Sequence, residues 1–321
     1  MKLTIASLII AIAAVAAFGQ APTLQIVTAD PNLPSELFYG NVKVKPLRVR
    51  PGTNPPQLIG IGDHDFFTQE QYIDFLNRMP DQAGFQFWLS QITNCGNNAG
   101  CIEVMRINVS ASFFLSTEFK ETGYLAERTY KTAFGDGSGV STFNGNHNVV
   151  APIIRFNEFL TDIKAIGKDV VVLQQGWEAK LEANKVAYFD AFVQRSSFTS
   201  AYPAGMTPAT FVDQLNTRAG NPLSTGERDQ LVADLTGGAK TRAQVLRAVA
   251  EDQDLVNSEF NRAFVLMQYY GYLRRDPNAG QDTDYTGYDF WLTKLNQFNG
   301  NYINAEMVKA FITSIEYGNR F

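Results

Sequence analysis

Apolar residues recur at helical spacing through most of the chain beyond residue 63. After Asp81, which can cap a helix, apolar side chains fall at positions i, i+3, i+4 and i+7 and so share one helical face. These residues are Phe85, Trp88, Leu89 and Ile92. Residues 42–50 instead alternate apolar and basic side chains, which is typical of a half-exposed strand. The pattern predicts an all-α protein of repeated helical units, about three copies, preceded by a short extended or β N-terminal arm.

The first helix of this series is expected to begin at a capping box. Thr68 can accept a hydrogen bond from a free amide, and Gln71, three residues further on, can reach back to it. Pro80 ends the helix, because proline lacks the amide hydrogen that a continuing helix needs. The stretch from Gly135 to His147 is polar and rich in glycine, which predicts a loop or linker.

A repeat is visible within the chain. An aromatic-rich helix leads to an arginine and a proline turn, then to an aromatic–Trp pair, and the segment closes on Ser-x-Glu followed by an aromatic residue. The first and last copies contain, respectively, Arg78, Trp88 and Glu118, and Arg275, Trp291 and Glu316. A weaker middle copy ends at Ser258-Glu259-Phe260. The predicted organisation is a signal peptide at 1–19, an extended arm at 20–62, repeat 1 at 63–134, a linker loop with connecting helices at 135–207, repeat 2 at 208–260 and repeat 3 at 261–321.

Structural roles are expected for the repeated residues. The two arginines stand at helix C-termini, where a guanidinium satisfies free carbonyls and opposes the helix dipole. The two glutamates belong to the closing turn and are expected to form part of a local cap. Trp88 and Trp291 are expected to be buried equivalents in their repeats.

These motifs resemble the bacterial family called domain of unknown function 4214. The resemblance covers residues 65–119 and 262–317, and 208–260 more loosely. The third copy departs from the pattern, since Arg275 is followed by a longer loop. The resemblance implies a helical fold, occurrence in exported and surface proteins, and similarity to the linker domains of phycobilisomes. It implies no activity.

The N-terminus has the pattern of a secretory signal peptide. Lys2 is followed by an uncharged, alanine-rich apolar run, and small residues follow at the expected cleavage site after Gly19 or Ala21. The alternative is an uncleaved anchor, but Gln20 and Pro22 cut the run short of the about 18–20 residues that spanning requires. No second run of that length follows. We therefore expect no transmembrane segment after cleavage, and a secreted, periplasmic or cell-surface location.

Charge and cysteine content narrow the class further. A net charge of −5 gives no positive surface for a phosphate backbone, which argues against nucleic acid as a partner. Cys95 and Cys101 flank a short Gly/Asn-rich loop, and an exported chain meets an oxidising compartment, so a disulfide between them is expected. A metal site there would need further ligands, and His64 and His147 are not adjacent.

Familiar catalytic motifs are absent from the sequence, which has no His-Glu-x-x-His helix, no Gly-x-Ser-x-Gly elbow and no phosphate loop. A carboxylate pair, as glycosidases use, stays open, and the recurring Glu118 and Glu316 are its candidates. Their place in a repeated cap favours a structural role. We therefore predict a protein that is not an enzyme and needs no cofactor, apart from a weak calcium site.

That calcium site is predicted in one acidic segment. Asp282, Asp284 and Thr286 occupy positions 1, 3 and 5 of a calcium loop, and Asp276 and Asn278 precede them. The glutamate that completes such a loop at position 12 is missing, so any site is weak. The alternative is a polar turn that caps the following helix.

The leading hypothesis is a non-catalytic secreted or cell-surface protein that presents a helical-repeat interaction surface to an envelope or extracellular protein or polysaccharide. A calcium-assisted adhesin or carbohydrate-binding protein is the first alternative. An extracellular polysaccharide-acting hydrolase is the second.

Calcium should stabilise the fold weakly. With a dissociation constant of about 1 mM, about 10 mM calcium adds about 1.4 kcal/mol to the free energy of unfolding and raises the melting temperature by a few degrees. Asp282→Asn combined with Asp284→Asn should abolish the rise and leave the metal-free melt nearly unchanged. Thermal melts at constant ionic strength check this. A wild-type melt indifferent to calcium would leave only the polar turn.

Overall fold

A computed structural model describes residues 59–321 in full and, before them, the backbone of three strands. The predicted signal peptide at 1–19 and most of the predicted arm at 20–62 lie outside the described residues. The chain divides into two units, Met1–Gly60 and Ile61–Phe321.

The N-terminal unit contains an antiparallel sheet in the order β1-β2-β3. Its strands are β1 (Leu24–Val27), β2 (Glu36–Tyr39) and β3 (Val42–Pro46). β3 occupies part of the segment whose alternating pattern predicts a strand. The pairing of β2 with β3 shifts register between Leu37 and Phe38.

The second unit is helical, as the periodicity predicts. Its helices are α1 (His64–Gln71), α2 (Gln82–Thr93), α3 (Ala99–Phe114), α4 (Thr117–Phe119), α5 (Leu125–Phe134), α6 (Phe156–Ile166), α7 (Trp177–Phe192), α8 (Ser196–Ala201), α9 (Pro208–Ala219), α10 (Thr225–Thr236), α11 (Arg242–Ala250), α12 (Gln253–Gln268), α13 (Thr286–Gln297), α14 (Met307–Ile312) and α15 (Ile315–Gly318). None of the described helices is long and apolar enough to span a membrane.

Three segments of the described chain wind as π-helix, continuous with α-helices. They are Tyr72–Leu76 after α1, Lys120–Tyr124 between α4 and α5, and Tyr269–Leu273 after α12. A π-helical turn adds one residue to a helix and is frequent at functional sites. Asn77 and Arg274 end the first and last of these segments in the left-handed conformation, with φ of 50° and 55°.

The prediction of a polar loop over residues 135–147 is wrong, because a β-hairpin begins within this stretch. β4 (Gly137–Ser141) pairs antiparallel with β5 (His147–Ala151). The main-chain amide of Tyr285 donates to the carbonyl of Val140 at 2.9 Å, and Thr286 accepts from the amide of Thr142 at 2.9 Å. The hairpin is therefore held against the third repeat, which local sequence does not reveal.

Helix starts follow the capping residues only in part. Asp81 accepts from the amide of Gly84 at 2.8 Å and caps α2 as predicted. The capping box at Thr68 is wrong, since α1 begins at His64 and Thr68 lies inside it. Its hydroxyl donates back to the carbonyl of His64 at 2.8 Å, an i−4 bond that threonine makes within helices.

The predicted disulfide is present. Cys95 and Cys101 are bonded, with 5.5 Å between their Cα atoms. Cys101 lies in the first turn of α3, whose N-cap Asn98 accepts from the Cys101 amide at 3.0 Å. The bond therefore joins the end of α2 to the start of α3 across the polar loop between them.

In the weaker middle copy, Ser258-Glu259-Phe260 lies inside α12, so these residues do not form a closing turn like those of the other copies. The preceding helix boundary is instead capped by Asp252, whose side chain accepts from the amides of Asp254 and Leu255. The middle copy therefore shares the serine, glutamate and aromatic residue with the other copies but not the turn that they form there.

The first and third repeats pack against each other through equivalent π-helices. Phe75 and Tyr272, at the same position of the two π-helices, meet edge to face with ring centroids 5.1 Å apart. A Cβ on Gly271 would overlap the Phe75 ring, so glycine permits this approach. Across the same contact, Arg320 donates to both carboxylate oxygens of the buried Asp74 at 2.7 and 2.8 Å.

Buried carboxyl groups lie between α5 and α12. Glu127 is buried, and its Oε2 has no hydrogen-bond partner within the described chain. Burial, and then the charge of Glu259, raise the pKa of Glu127 well above its usual range, against the opposing effect of Arg128, Arg262 and Lys131. Burial raises the pKa of Glu259 as well.

We expect Glu127→Gln to raise the melting temperature at neutral pH. The folded-state pKa lies above the unfolded value, so the folded chain keeps a proton that the unfolded chain has lost. Stability therefore falls as pH rises from the unfolded toward the folded pKa. Wild type should gain stability from this group as the pH falls from neutral toward the unfolded-state pKa, and the glutamine variant should lack that gain.

Thermal melts at several pH values measure this, with Glu178→Gln on the exposed face of α7 as the control. A Glu127→Gln protein that melts below wild type at neutral pH, with an unchanged pH slope, would contradict the assignment.

Candidate functional site

The first and third repeats, called here the outer repeats, are each organised around an arginine that donates two hydrogen bonds to one glutamate. This pair is called here a fork. In the first, the Nε of Arg78 donates to Oε1 of Glu118 at 2.7 Å, and its Nη2 donates to Oε2 at 2.9 Å. The left-handed turn at Asn77 directs the chain away from the π-helix at this point. The hydroxyl of Ser116 caps the helix that carries Glu118, by accepting from the Phe119 amide at 3.1 Å.

The third repeat reproduces this fork. Arg275 donates to the two carboxylate oxygens of Glu316 at 2.5 and 2.9 Å, after a left-handed turn at Arg274. Ser314 is the equivalent N-cap and accepts from the Tyr317 amide at 3.0 Å. The closing cap is present and is made by serine, whereas each glutamate holds the arginine of its own repeat. Each arginine also donates to a main-chain carbonyl of its turn, Arg78 to that of Met79 at 3.3 Å and Arg275 to that of Asp276 at 3.1 Å.

A tyrosine lies beneath each fork. The guanidinium carbon of Arg78 is 5.2 Å from the ring centroid of Tyr72, and the Arg275 carbon is 5.4 Å from that of Tyr269. A Cβ on Gly84 or on Gly287, near the start of the second helix of each repeat, would collide with the tyrosine hydroxyl. Close packing against tyrosine therefore explains why both positions are glycine.

The two tryptophans are equivalent but only half-buried, so the prediction that they are buried is wrong. Trp88 lies with its ring centroid 5.7 Å from Phe113, and Trp291 lies 5.6 Å from Phe311. Each ring packs on the core with one side and lines an open cleft with the other. The helical spacing identified the face without fixing how completely it is covered.

The clefts differ greatly in size. The cleft of the first repeat, called here cleft 1, has a volume of about 720 Å³, and the corresponding cleft of the third repeat, cleft 3, has about 250 Å³. Equivalent residues line both clefts: Tyr72, Leu76, Arg78, Gly84, Trp88, Phe113, Ser116 and Glu118 in the first, and Tyr269, Leu273, Arg275, Gly287, Trp291, Phe311, Ser314 and Glu316 in the third.

An additional acidic contact accompanies the smaller cleft. Asp282 accepts from Nη2 of Arg275 at 2.6 Å, so this arginine holds two carboxylates. The corresponding Asp81 lies 3.6 Å from Nη1 of Arg78, beyond hydrogen-bond distance. The longer loop of the third copy therefore brings an aspartate onto the fork, whereas cleft 1 lacks this close contact.

Cleft 1 has an extra wall from the segment between α6 and α7, formed by residues 171–174. Leu173 in this wall is 91% exposed and has a φ of 75°, which is uncommon for leucine. Phe87, also in the lining, is 55% exposed. Large apolar side chains are thus held at the rim of an apolar cleft.

Burial and nearby carboxylates perturb the tyrosines in the same direction in both repeats. Burial, and then the charge of Asp81, raise the pKa of Tyr72 to about 12. Burial, followed by Asp282, also raises the pKa of Tyr269. Both phenols are therefore neutral at physiological pH, and their rings form the aromatic floor under the arginines.

The predicted calcium residues have other partners at the start of their segment. Asp282 is bonded to Arg275, as described. Asp276 accepts from the Phe156 amide at 2.9 Å and lies 3.3 Å from the guanidinium of Arg155. The Oδ1 of Asn278 is buried without a hydrogen-bond partner among the described residues.

At the end of that segment, Asp284 accepts from the Thr286 amide at 2.9 Å, an arrangement that fits the polar-turn alternative. The Thr286 hydroxyl is 3.0 Å from that of Thr142 in the hairpin. Among the described residues, no group of three or more His, Cys, Asp or Glu side chains is arranged to hold a metal ion. Calcium binding stays a prediction, which the melting experiment decides.

The sequence pattern thus found part of the candidate site. It identified Arg78, Trp88 and Glu118 as a recurring set, and the structure brings all three to cleft 1. It missed Tyr72 and the wall at 171–174. The tyrosine recurs in both copies and could have been found from that recurrence, but the wall lies outside the repeats and carries no pattern.

Comparison with known protein families gives a match for the first repeat. Residues 60–123 match the family model described as "Domain of unknown function (DUF4214)". This match confirms the predicted resemblance for the first repeat, whose fork, tyrosine and tryptophan lie within these residues. No curated protein and no solved structure matches the chain. The family description states no activity, so a functional argument depends on the geometry of the clefts.

The two forks should differ in their contribution to stability. Glu118→Gln should lower the free energy of unfolding by about 2–3 kcal/mol, because it removes the charged partner of a largely buried guanidinium. Glu316→Gln should cost about half as much, because Arg275 keeps Asp282 at 2.6 Å.

Chemical denaturation of both variants, with Glu178→Gln as the surface control, measures the difference. Equal losses, or a larger loss for Glu316→Gln, would show that Asp282 does not support the second fork.

Proposed function

We propose that the protein is a non-catalytic binding protein, and that cleft 1 is its binding surface for an apolar segment of a protein partner. The observation that carries the proposal is the contrast between two clefts with the same scaffold. Only cleft 1 reaches about 720 Å³, a volume within the usual range of ligand sites.

The lining of cleft 1 favours a protein partner. Beyond its aromatic floor, the cleft presents Leu76, Val171 and Val172, with the exposed Leu173 and Phe87 at its rim. Exposed apolar side chains grouped around a concave surface are characteristic of protein interaction sites. The Arg78–Glu118 fork at the edge supplies polar groups that can fix the orientation of a bound chain.

The same geometry argues against a glycosidase-like carboxylate pair. Both oxygens of Glu118 accept hydrogen bonds from Arg78, and both oxygens of Glu316 accept them from Arg275. Both oxygens of each glutamate are therefore occupied by the arginine of the same repeat, which leaves neither free to contact a substrate atom. Glu118 and Glu316 line different clefts, which also separates them from a shared substrate.

Export to an envelope or extracellular location belongs to this proposal. The signal-like N-terminus supports it, and the Cys95–Cys101 bond is typical of oxidising compartments. A carbohydrate partner is the second candidate, favoured by the half-exposed Trp88 beside Asp81, since aromatic faces and carboxylates both contact sugars.

Selection of a displayed peptide library on the immobilised full-length protein tests the proposal. We expect enriched peptides to carry apolar or aromatic side chains. Trp88→Ala should weaken their binding by more than about tenfold, as loss of an interface anchor does. Trp291→Ala, the matched change in cleft 3, should leave the affinity unchanged.

Soluble β-1,4-linked glucose and N-acetylglucosamine oligosaccharides serve as competitors in the same assay. Binding that survives Trp88→Ala would refute cleft 1 as the site. Oligosaccharides that bind directly in a Trp88-dependent manner, with no peptide enriched, would replace the protein partner by a carbohydrate.

A further inference from the structure

A second cavity, lined by other residues than either cleft, lies between α5 and α12. It has a volume of about 580 Å³. One wall is the parallel pair of Tyr124 and Phe260, whose ring centroids are 5.6 Å apart with 6° between the planes. The remaining lining is mostly polar and includes Lys120, Glu121, Arg128, Glu251, Gln253 and Asn257.

Two polar groups of this cavity have unused hydrogen-bonding capacity. Tyr124 is only 2% exposed, and its hydroxyl is buried without a hydrogen-bond partner among the described residues. Arg128 donates its Nε to the carbonyl of Ala250 at 2.8 Å, and its Nη atoms have no partner within the part of the chain described. A buried hydroxyl left unbonded costs stability, so its retention requires a reason.

The two carboxylates of the lining are paired with cations outside it. Glu121 contacts Lys185, and Glu251 contacts both Lys185 at 2.8 Å and Arg247 at 2.7 Å. Arg128 and Lys120 remain as cations of the lining. Burial lowers the pKa of Arg128, and the nearby charges of Glu127, Glu121 and Glu251 oppose this shift. An anion bound at the Nη atoms would stabilise the charged form of the guanidinium, which burial disfavours.

Backbone geometry marks the same place independently. The π-helix Lys120–Tyr124 supplies three lining residues of this cavity, Lys120, Glu121 and Tyr124. The π-helices of the two repeats likewise line clefts 1 and 3. In the described chain each π-helix therefore opens onto a cavity, the placement typical of π-helical turns at binding sites.

We propose that this cavity binds a small organic carboxylate. Its charged group meets the guanidinium of Arg128 and the hydroxyl of Tyr124, and its apolar part lies along the wall formed by the Tyr124 and Phe260 rings. A planar guanidinium matches the two oxygens of a carboxylate. Gln253 and Asn257 at the rim can bond to polar substituents. The site is separate from cleft 1 and does not depend on the function proposed for it.

Benzoate is the probe, with benzamide as its uncharged counterpart and inorganic phosphate as an anion without an apolar part. Titration calorimetry and thermal melts use the full chain in a carboxylate-free buffer at constant ionic strength. We expect saturable benzoate binding that raises the melting temperature, and no such effect from benzamide or phosphate.

Tyr124→Phe separates this proposal from a purely structural tyrosine. Removal of an unbonded buried hydroxyl should raise the melting temperature of the free protein by about 2 °C, and loss of a hydrogen bond to a charged ligand should weaken benzoate binding about tenfold or more. Arg128→Gln should abolish binding. Arg218→Gln, which also removes a bond from arginine to a helix-terminal carbonyl at Ala133, should leave it intact.

If Arg128→Gln fails to fold, the isosteric Tyr124→Phe still decides the question. Equal binding of benzoate and benzamide would overturn the proposal, as would a preference for phosphate. A Tyr124→Phe protein that melts and binds benzoate as wild type does would also overturn it.

Discussion

The arginine–glutamate fork is the interaction on which each outer repeat depends. Arg78 and Glu118 are 40 residues apart in sequence, and their bond joins the end of the first helix to the closing turn of the same repeat. The fork covers Tyr72, and the tyrosine hydroxyl fits against a glycine of the second helix. The fork thus fixes the positions of the proline turn, the helix that carries the tryptophan and the serine-capped helix relative to one another. The cleft lies on the open side of this arrangement.

Repetition of this arrangement also builds the contact between repeats. Phe75 and Tyr272 occupy equivalent positions and meet each other, so the first and third repeats face one another across related surfaces. Asp74 and Arg320 add a charged pair at that contact, with the carboxylate of Asp74 inaccessible to solvent. Once the two copies are fixed in this way, small differences around each fork can set the size of each cleft.

Sequence reasoning succeeded where the determinant is local. Periodicity predicted the helices, and Asp81 marked the start of one of them. The sequence did not predict features that residues far apart in the chain determine. The hairpin is held by Tyr285 and Thr286, and the partner of Arg78 lies in another helix. The wall at 171–174, which completes cleft 1, lies outside the repeats and carries no repeated pattern. The recurrence of arginine and glutamate together was the one available signal for the fork.

The π-helices change which side of a helix faces the core. One α-helical residue advances the chain by about 100° around the axis, so one added residue rotates all later side chains by that angle relative to earlier ones. The continuous helix from Gln253 to Leu273 can therefore pack against α13 with its first part and against the first repeat with its last part. A single rigid element thus carries two differently oriented apolar stripes, and removal of one residue from the π-helix would turn its final stripe away from the partner that it now covers.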